Sequence, residues 1–309
     1  MHAVVGTVPD KDFPLITGEV GLDGDVICIR GNQIPVNRGT AALLASMIKA
    51  GEYLGQQPPY AYLAGDIGLG DGSRRLYEYL VQHLGESSFR SIIFHYLQPD
   101  VDRFNRMLFV IEEMTHAPIL IADAGSMYVA KMSGQSQAFD LFTPDIGELA
   151  FLADEEAPHP FYTRGFILHE ENRVPELISR SYEHENAARN LLVKGERDYV
   201  ANEEGVLATI DHPVEEALEA IGGTGDSLTG IVASLIGAGM EISEAASTAA
   251  CANRMAGHLA QPTAATQVIE IINCIPRALE KLFSENDRIR EWPKTHQRKS
   301  VASTPKSRY

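Results

Sequence analysis

Cysteine is scarce in this chain. Cys28, Cys251 and Cys274 are the only three in 309 residues, too few for a disulfide framework and without metal-ligand spacing. A reducing compartment suits such a chain, so we expect a cytoplasmic protein. Long apolar runs are also missing: nowhere do about 18 consecutive apolar residues occur. The Met-His-Ala-Val-Val-Gly start has no basic region leading into an apolar stretch, so we expect neither a signal peptide nor a membrane span. Positive charge is in deficit, with 26 Lys and Arg against 42 Asp and Glu and a net charge of −16. That balance argues against a nucleic-acid surface and means that an acidic substrate has to be captured locally, by metal ions and backbone amides. The ten histidines form no His-x-x-x-His or His-Glu-x-x-His pattern, and residues 157–160 around His159 read as a turn, so no zinc site is expected. No Gly-x-Ser-x-Gly elbow and no Walker A sequence is present, which removes the α/β-hydrolases and P-loop NTPases. No repeat recurs at a period of about 20–50 residues.

What is present suits one sizeable α/β domain, with 44% of positions hydrophobic and 22% charged. Short apolar runs end in turn residues and lead into stretches of helical period, the pattern of a parallel sheet with crossover helices. Strands are expected at 60–64, 91–96, 119–122, 141–143 and 191–194. Helices are expected after residue 73 through 84, near 104–114 and at about 175–190. Residues 198–210 read as a β-hairpin at the sheet's edge, turning at 202–205. The C-terminal third reads as helices at 227–238, 243–259 and 265–283. Residues 1–292 are therefore expected to be a single domain. The tail at 293–309, basic and rich in Ser and Thr, is expected to be disordered.

The richest stretch is Ile221-Gly222-Gly223-Thr224-Gly225-Asp226-Ser227-Leu228-Thr229-Gly230. Glycines here allow a tight turn and close backbone approach, and the free amides of the first helical turn then favour an anion. Asp226 is either a helix cap or a general base that takes a proton from a reacting hydroxyl, with the amides of Gly223, Thr224 and Gly225 stabilising a transferring phosphoryl group. Other candidates close the predicted strands, where ligands bind in open α/β sheets. Asp123 follows 119–122 and either contacts substrate or a metal-bound water, or caps the next helix. Lys194 and Gly195 follow another strand, as a solvated charge or a phosphate contact. Glu148 is either a helix N-terminal acid or a water-mediated Mg²⁺ ligand. Gly68 and Gly70 lie in a Gly-x-Gly-x-Gly run that lacks dinucleotide-fingerprint spacing and could form a wall of a substrate pocket.

Gly222-Gly223-Thr224-Gly225-Asp226 followed by Leu228-Thr229-Gly230-Ile231 closely resembles the signature of ribokinase-like enzymes of the NAD(P)H-hydrate dehydratase branch. Three further segments fall in that family's order. Asp123-Ala124 is similar to its Asp-Ala-Asp, Thr143-Pro144-Asp145-Ile146-Gly147-Glu148 to its Thr-Pro-His-Pro-Gly-Glu, and Leu192-Val193-Lys194-Gly195 to its strand ending in Lys-Gly. A weaker likeness is the early Gly-Ala helix at 39–51. The resemblance implies a three-layer αβα sandwich with a mostly parallel central sheet and an edge hairpin. It also implies ATP or ADP and Mg²⁺ as cofactors, Asp226 as catalytic base, and Gly222 to Gly225 with Lys194 and Gly195 as the nucleotide and anion site. Asp123 and Asp145 would stand on the substrate side, with Glu148 holding Mg²⁺ through water. Asp145 departs from the family's histidine, and residues 212–220 are Glu-rich where the family has small residues. The implied activity is ADP- or ATP-dependent repair of NAD(P)H hydrate. The alternatives are a small-molecule kinase acting on a sugar or vitamin hydroxyl and a non-catalytic nucleotide-binding regulator. Such enzymes commonly form homo-oligomers, with which the small-residue stretch at 245–256 is compatible.

Overall fold

An apolar run at the start of the chain, read above only for targeting signals, forms an interior strand of the sheet. In the computed structural model, which describes residues 1–155 and 173–285, β1 is His2–Val8, followed by β2 (Ile16–Glu19), β3 (Gly21–Asp23), β4 (Val26–Ile29) and β5 (Asn32–Pro35). Helix α1 (Thr40–Leu54) leads to β6 (Tyr60–Gly65), α2 (Asp71–His83), β7 (Ser91–His95), α3 (Val101–Glu112), β8 (Ile119–Ala122), α4 (Ser126–Met132), β9 (Leu141–Phe142) and α5 (Ile146–Ala153). The chain continues through α6 (Val174–Glu183), β10 (Asn190–Val193), β11 (Asp198–Asn202), β12 (Gly205–Ile210), α7 (Thr224–Gly237), α8 (Ile242–Ala260), α9 (Val268–Ile272) and α10 (Ile275–Glu285). The turn expected at 157–160 and the tail at 293–309 lie outside the described residues.

Nine strands form one sheet in the order β12-β11-β10-β9-β8-β7-β1-β6-β2. From β10 to β6 neighbours run parallel, while β2 at one edge and the β11–β12 hairpin at the other are antiparallel. Side chains alternate between the two faces with the period-two rule of a strand. On β1, Val4 and Val8 enter one core beneath α1, α7, α8 and α10, whereas Ala3 and Val5 enter the other beneath α2 to α6. The result is three layers, helix on sheet on helix. Strands β3 to β5 form a separate small antiparallel sheet.

Two expectations change in detail. The helix read at 265–283 is two helices, because Pro276 lacks an amide hydrogen and is tolerated only in the first turn of α10. The helix read to residue 190 ends at Glu183, followed by Glu185 at φ 56°.

The signature glycine Gly230 has a packing role. A Cβ there would lie 2.5 Å from the Leu43 carbonyl oxygen and 3.2 Å from the Met47 amide nitrogen, and would overlap Ser46 Oγ. Two of these are backbone atoms of α1 and cannot move without shifting the helix. Gly230→Ala should therefore destabilise the protein by about 1–3 kcal/mol, measurable by urea denaturation. An unchanged midpoint would show that the α1–α7 contact is looser than described.

Candidate active site

Strands β7, β8 and β10 deliver three side chains to a common point beside the start of α7. The carboxylate of Asp226, in the first turn of α7, is 8% exposed. Its Oδ2 accepts the Gly39 amide at 2.6 Å, and its Oδ1 lies 3.1 Å from His95 Nε2 at the end of β7. The His95 ring is fully buried, and its Nδ1 lies 3.0 Å from Thr40 Oγ1, which donates to the Thr7 carbonyl at 2.8 Å. Asp123, just past β8, is 1% exposed. It accepts from Lys194 Nζ at 2.8 and 3.0 Å, from the Ala124 amide at 2.8 Å and from Thr229 Oγ1 at 2.6 Å. Thr143 adds a hydroxyl contact to Thr229 at 3.0 Å.

The helix start beside this cluster is bare. Gly223 is the N-cap at φ 100°, with no side-chain cap, and the first bond toward the helix runs from the Ser227 amide to the Gly223 carbonyl. The amides of Thr224, Gly225 and Asp226 have no partner among the described residues. Gly222 is exposed and Gly223 to Gly225 half-buried, so solvent reaches them. Glycine is required at 223, where a Cβ would sit 3.1 Å from Arg38 Cα at a backbone angle that side chains avoid. Lys194 runs along Gly225, and the exposed Arg38 stands over Gly222 and Gly223. Positive charge and unpaired amides thus gather on one side of Asp226, which suits a phosphate.

The electrostatics follow from these contacts. Burial opposes ionisation of Asp226, but His95, Lys194 and the Gly39 amide overcome it and hold the carboxyl below its usual range. Burial likewise opposes the charge on Lys194, yet Asp123 and Glu148 hold its ammonium above the ordinary lysine range. Tyr96, packed edge-on against His95 at 4.5 Å, is pushed up by burial and by the charges of Asp226 and Asp123. Its backbone has φ 56°, held by its amide bond to the Ala124 carbonyl and by Thr7 Oγ1 on its own carbonyl.

Asp145 and Glu148 form a capping box at the start of α5: Asp145 Oδ1 accepts the Glu148 amide and Glu148 Oε2 accepts the Asp145 amide, both at 2.8 Å. Glu148 Oε1 also accepts from Tyr128. Burial first, then Asp145, push the Glu148 carboxyl up to about 8. The folded protein therefore keeps a proton that the unfolded chain releases. This favours folding below the ordinary value of 4.5, and the advantage is lost as pH rises through about 8. Glu148→Gln cannot ionise. In metal-free buffer its melting temperature relative to wild type should be higher above pH 8 than at pH 5, and a pH-independent difference would refute this.

Gly195 donates to Asp198 at 3.3 Å, and its carbonyl accepts from Arg254, which pairs with Asp198 at 2.7 Å. This ion pair pins the loop after β10. Gly68 and Gly70 curl around Asp66, whose Oδ1 accepts the amides of Gly68, Leu69 and Gly70 at 3.0 Å. Among the described residues that loop makes no hydrogen bond to the Asp226 cluster. Sequence reasoning missed His95, Thr40, Gly39 and Arg38. The signal for His95 was a polar residue closing the apolar strand Ser-Ile-Ile-Phe-His.

His95, Asp123 and Asp226 place three metal-type ligand atoms within 4.8 Å of one another. Lys194, Thr229 and the Ala124 amide already engage both Asp123 oxygens. A cleft of about 560 Å³ between α6 and the hairpin is lined by Glu183, Glu203 and Glu204 and repels anions. No helix among the described residues is long and apolar enough to cross a membrane.

Residues 100–277 match the carbohydrate-kinase family described as NAD(P)H-hydrate dehydratase. The chain is 43% identical to the uncharacterised protein MJ1337 of Methanocaldococcus jannaschii over 239 residues, covering 77% of this chain and 98% of that protein. Among solved structures it resembles the ADP/ATP-dependent NAD(P)H-hydrate dehydratase of Bacillus subtilis co-crystallised with ATP and Mg²⁺. That likeness has a TM-score of 0.55 and 14% identity, over 91% of this chain and 89% of that one. It also resembles a ribokinase-like superfamily protein of Enterococcus faecalis V583, with a TM-score of 0.52 and 15% identity, over 90% and 87%. At these identities the structures establish a shared ribokinase-like fold.

Proposed function

From the premise that the chain belongs to the NAD(P)H-hydrate dehydratase family, we propose that it transfers a phosphoryl group from ATP or ADP to the hydroxyl of NAD(P)H hydrate. The observation that carries this reading is one ionised carboxylate, Asp226, seated in a helical turn whose first amides are unpaired. Asp226 takes the hydroxyl proton as the oxygen attacks phosphorus. The amides of Thr224, Gly225 and Asp226 receive the charge that develops on the phosphoryl oxygens. Arg38 adds positive charge beside Gly222 and Gly223, and Lys194 keeps the buried Asp123 neutralised next to the base. Mg²⁺, when bound with nucleotide, would supply charge neutralisation on the phosphates, and Glu148 would hold it through water once it gives up the proton that burial keeps on it. Phosphate then leaves with the C–O bonding pair, and loss of a ring proton restores the dihydronicotinamide.

A second reading is a kinase that stops at the phosphoester of a sugar or vitamin. It is favoured by Asp145, exposed at the α5 N-cap where the family pattern has histidine. The two readings share Asp226 and differ in whether phosphate stays on the product. The deciding experiment is nucleotide-dependent recovery of NADH absorbance from NADH hydrate with Mg²⁺, with ATP and ADP tested separately. Recovery with release of inorganic phosphate supports repair. Nucleotide consumption without recovery, on a panel of sugar and vitamin alcohols, supports the kinase.

A further inference from the structure

We infer that His95 is a positioning residue: it carries hydrogen on both ring nitrogens and locks the Asp226 carboxylate in place through a one-way relay ending at the Thr7 carbonyl. The relay's direction follows from counting hydrogens. The Thr7 carbonyl only accepts, so the single Thr40 hydroxyl hydrogen points to it, at 2.8 Å. Thr40 Oγ1 must then accept from His95 Nδ1 at 3.0 Å, which fixes a hydrogen on Nδ1. On its other side the ring faces only acceptors, Asp226 Oδ1 at 3.1 Å and Asp123 Oδ2 at 3.7 Å. A bare Nε2 there would oppose lone pairs in a fully buried place, a costly arrangement.

The remaining choice is which partner owns the hydrogen between Nε2 and Asp226. The Gly39 amide on Oδ2 and the nearby Lys194 favour the ionised carboxylate, and so place the hydrogen on the ring. Charge balance agrees. Two buried carboxylates, Asp123 and Asp226, face one ammonium, Lys194, and His95 supplies the second positive charge. The other groups around the ring are Tyr96, edge-on at 4.5 Å, and Thr40 on α1, neither of them charged. With one oxygen held by His95 and the other by Gly39, the carboxylate cannot rotate. Its remaining lone pairs therefore keep a fixed direction. The catalytic consequence rests on Asp226 being the base; the proton inventory does not.

The test separates the two. Nuclear magnetic resonance of the nucleotide-free protein labelled with ¹⁵N-histidine should show, at neutral pH, a ring with both nitrogens protonated that is absent from His95→Gln. In Asp226→Asn the same ring should bear one hydrogen, on Nδ1. A wild-type ring with a single hydrogen overturns the inference whether or not the protein has activity. In the nucleotide-dependent assay, His95→Ala should lose roughly 100-fold in kcat, the scale of a misplaced reacting group. His95→Gln keeps a donor toward Asp226 and cannot titrate. It should retain kcat within about tenfold of wild type, on the scale of geometry alone. Equal losses in the two variants would also overturn it. Absence of turnover in every protein with the doubly protonated ring intact would sink the phosphoryl-transfer reading and leave the inventory standing.

Discussion

Asp226→Asn should lower kcat by about 10²–10⁴-fold, the range of a lost general base, while nucleotide affinity measured by calorimetry stays close to that of wild type. Asparagine matches the carboxylate in shape and can still accept the Gly39 amide that now lies 2.6 Å from Oδ2. What it lacks is the capacity to take a proton. The nucleotide contacts proposed here are the amides of the α7 start and the cations beside them, none of which the substitution removes. A variant that turns over at the wild-type rate would make Asp226 a helix-terminal acid and nothing more. One that loses nucleotide binding together with rate would point to a role in shaping the anion site.

Lys194→Met carries the largest expected effect on stability. Asp123 is 1% exposed, and its charge is met by the Lys194 ammonium at 2.8 and 3.0 Å. Thr229 and the Ala124 amide supply hydrogen bonds but no charge. Removing the lysine strands a buried anion, at a cost of about 3–5 kcal/mol, which corresponds to a melting temperature lower by on the order of 10 °C. Asp123→Asn in the same protein should recover much of the loss, because the neutral amide no longer needs a counter-ion. If the double variant is no more stable than Lys194→Met, the lysine contributes by packing along Gly225, and the ion pair is incidental.

The sheet was legible wherever a strand was apolar and closed by a turn residue, as at Ile119–Ala122, where the expected and observed bounds coincide. The edge hairpin was legible because Asn202 and Gly205 flank its turn. Strand β1 was missed although Val4 and Val5 are fully buried, because a short apolar run at a chain start is equally the start of a leader. Strands β2 to β5 were missed for a different reason. They are three or four residues long, and their pattern of half-buried positions gives periodicity too little length to register.

In the candidate site, Asp226, Asp123 and Lys194 could be singled out because each ends a strand or opens a helix with a charge, and the structure brings these three together. His95 could not. A single histidine after three apolar residues looks like any strand end, and its meaning comes from Thr40 and Asp226, 55 and 131 residues away along the chain. Glu148 was read as either a cap or a metal-side acid, and its capping box shows the first without removing the second.

Gly39 and Asp226 are separated by 187 residues, and His95 and Asp226 by 131. During synthesis the donors leave the ribosome long before the carboxylate they are to hold, so on the proposed function no complete site exists until α7 has emerged and docked on α1. The same span sets a limit on dissection. A fragment confined to residues 100–277, the part that matches the family, would carry the acid and its lysine neighbour but neither Gly39 nor His95. If the proposed roles hold, a minimal catalytic core cannot be cut from the middle of this protein.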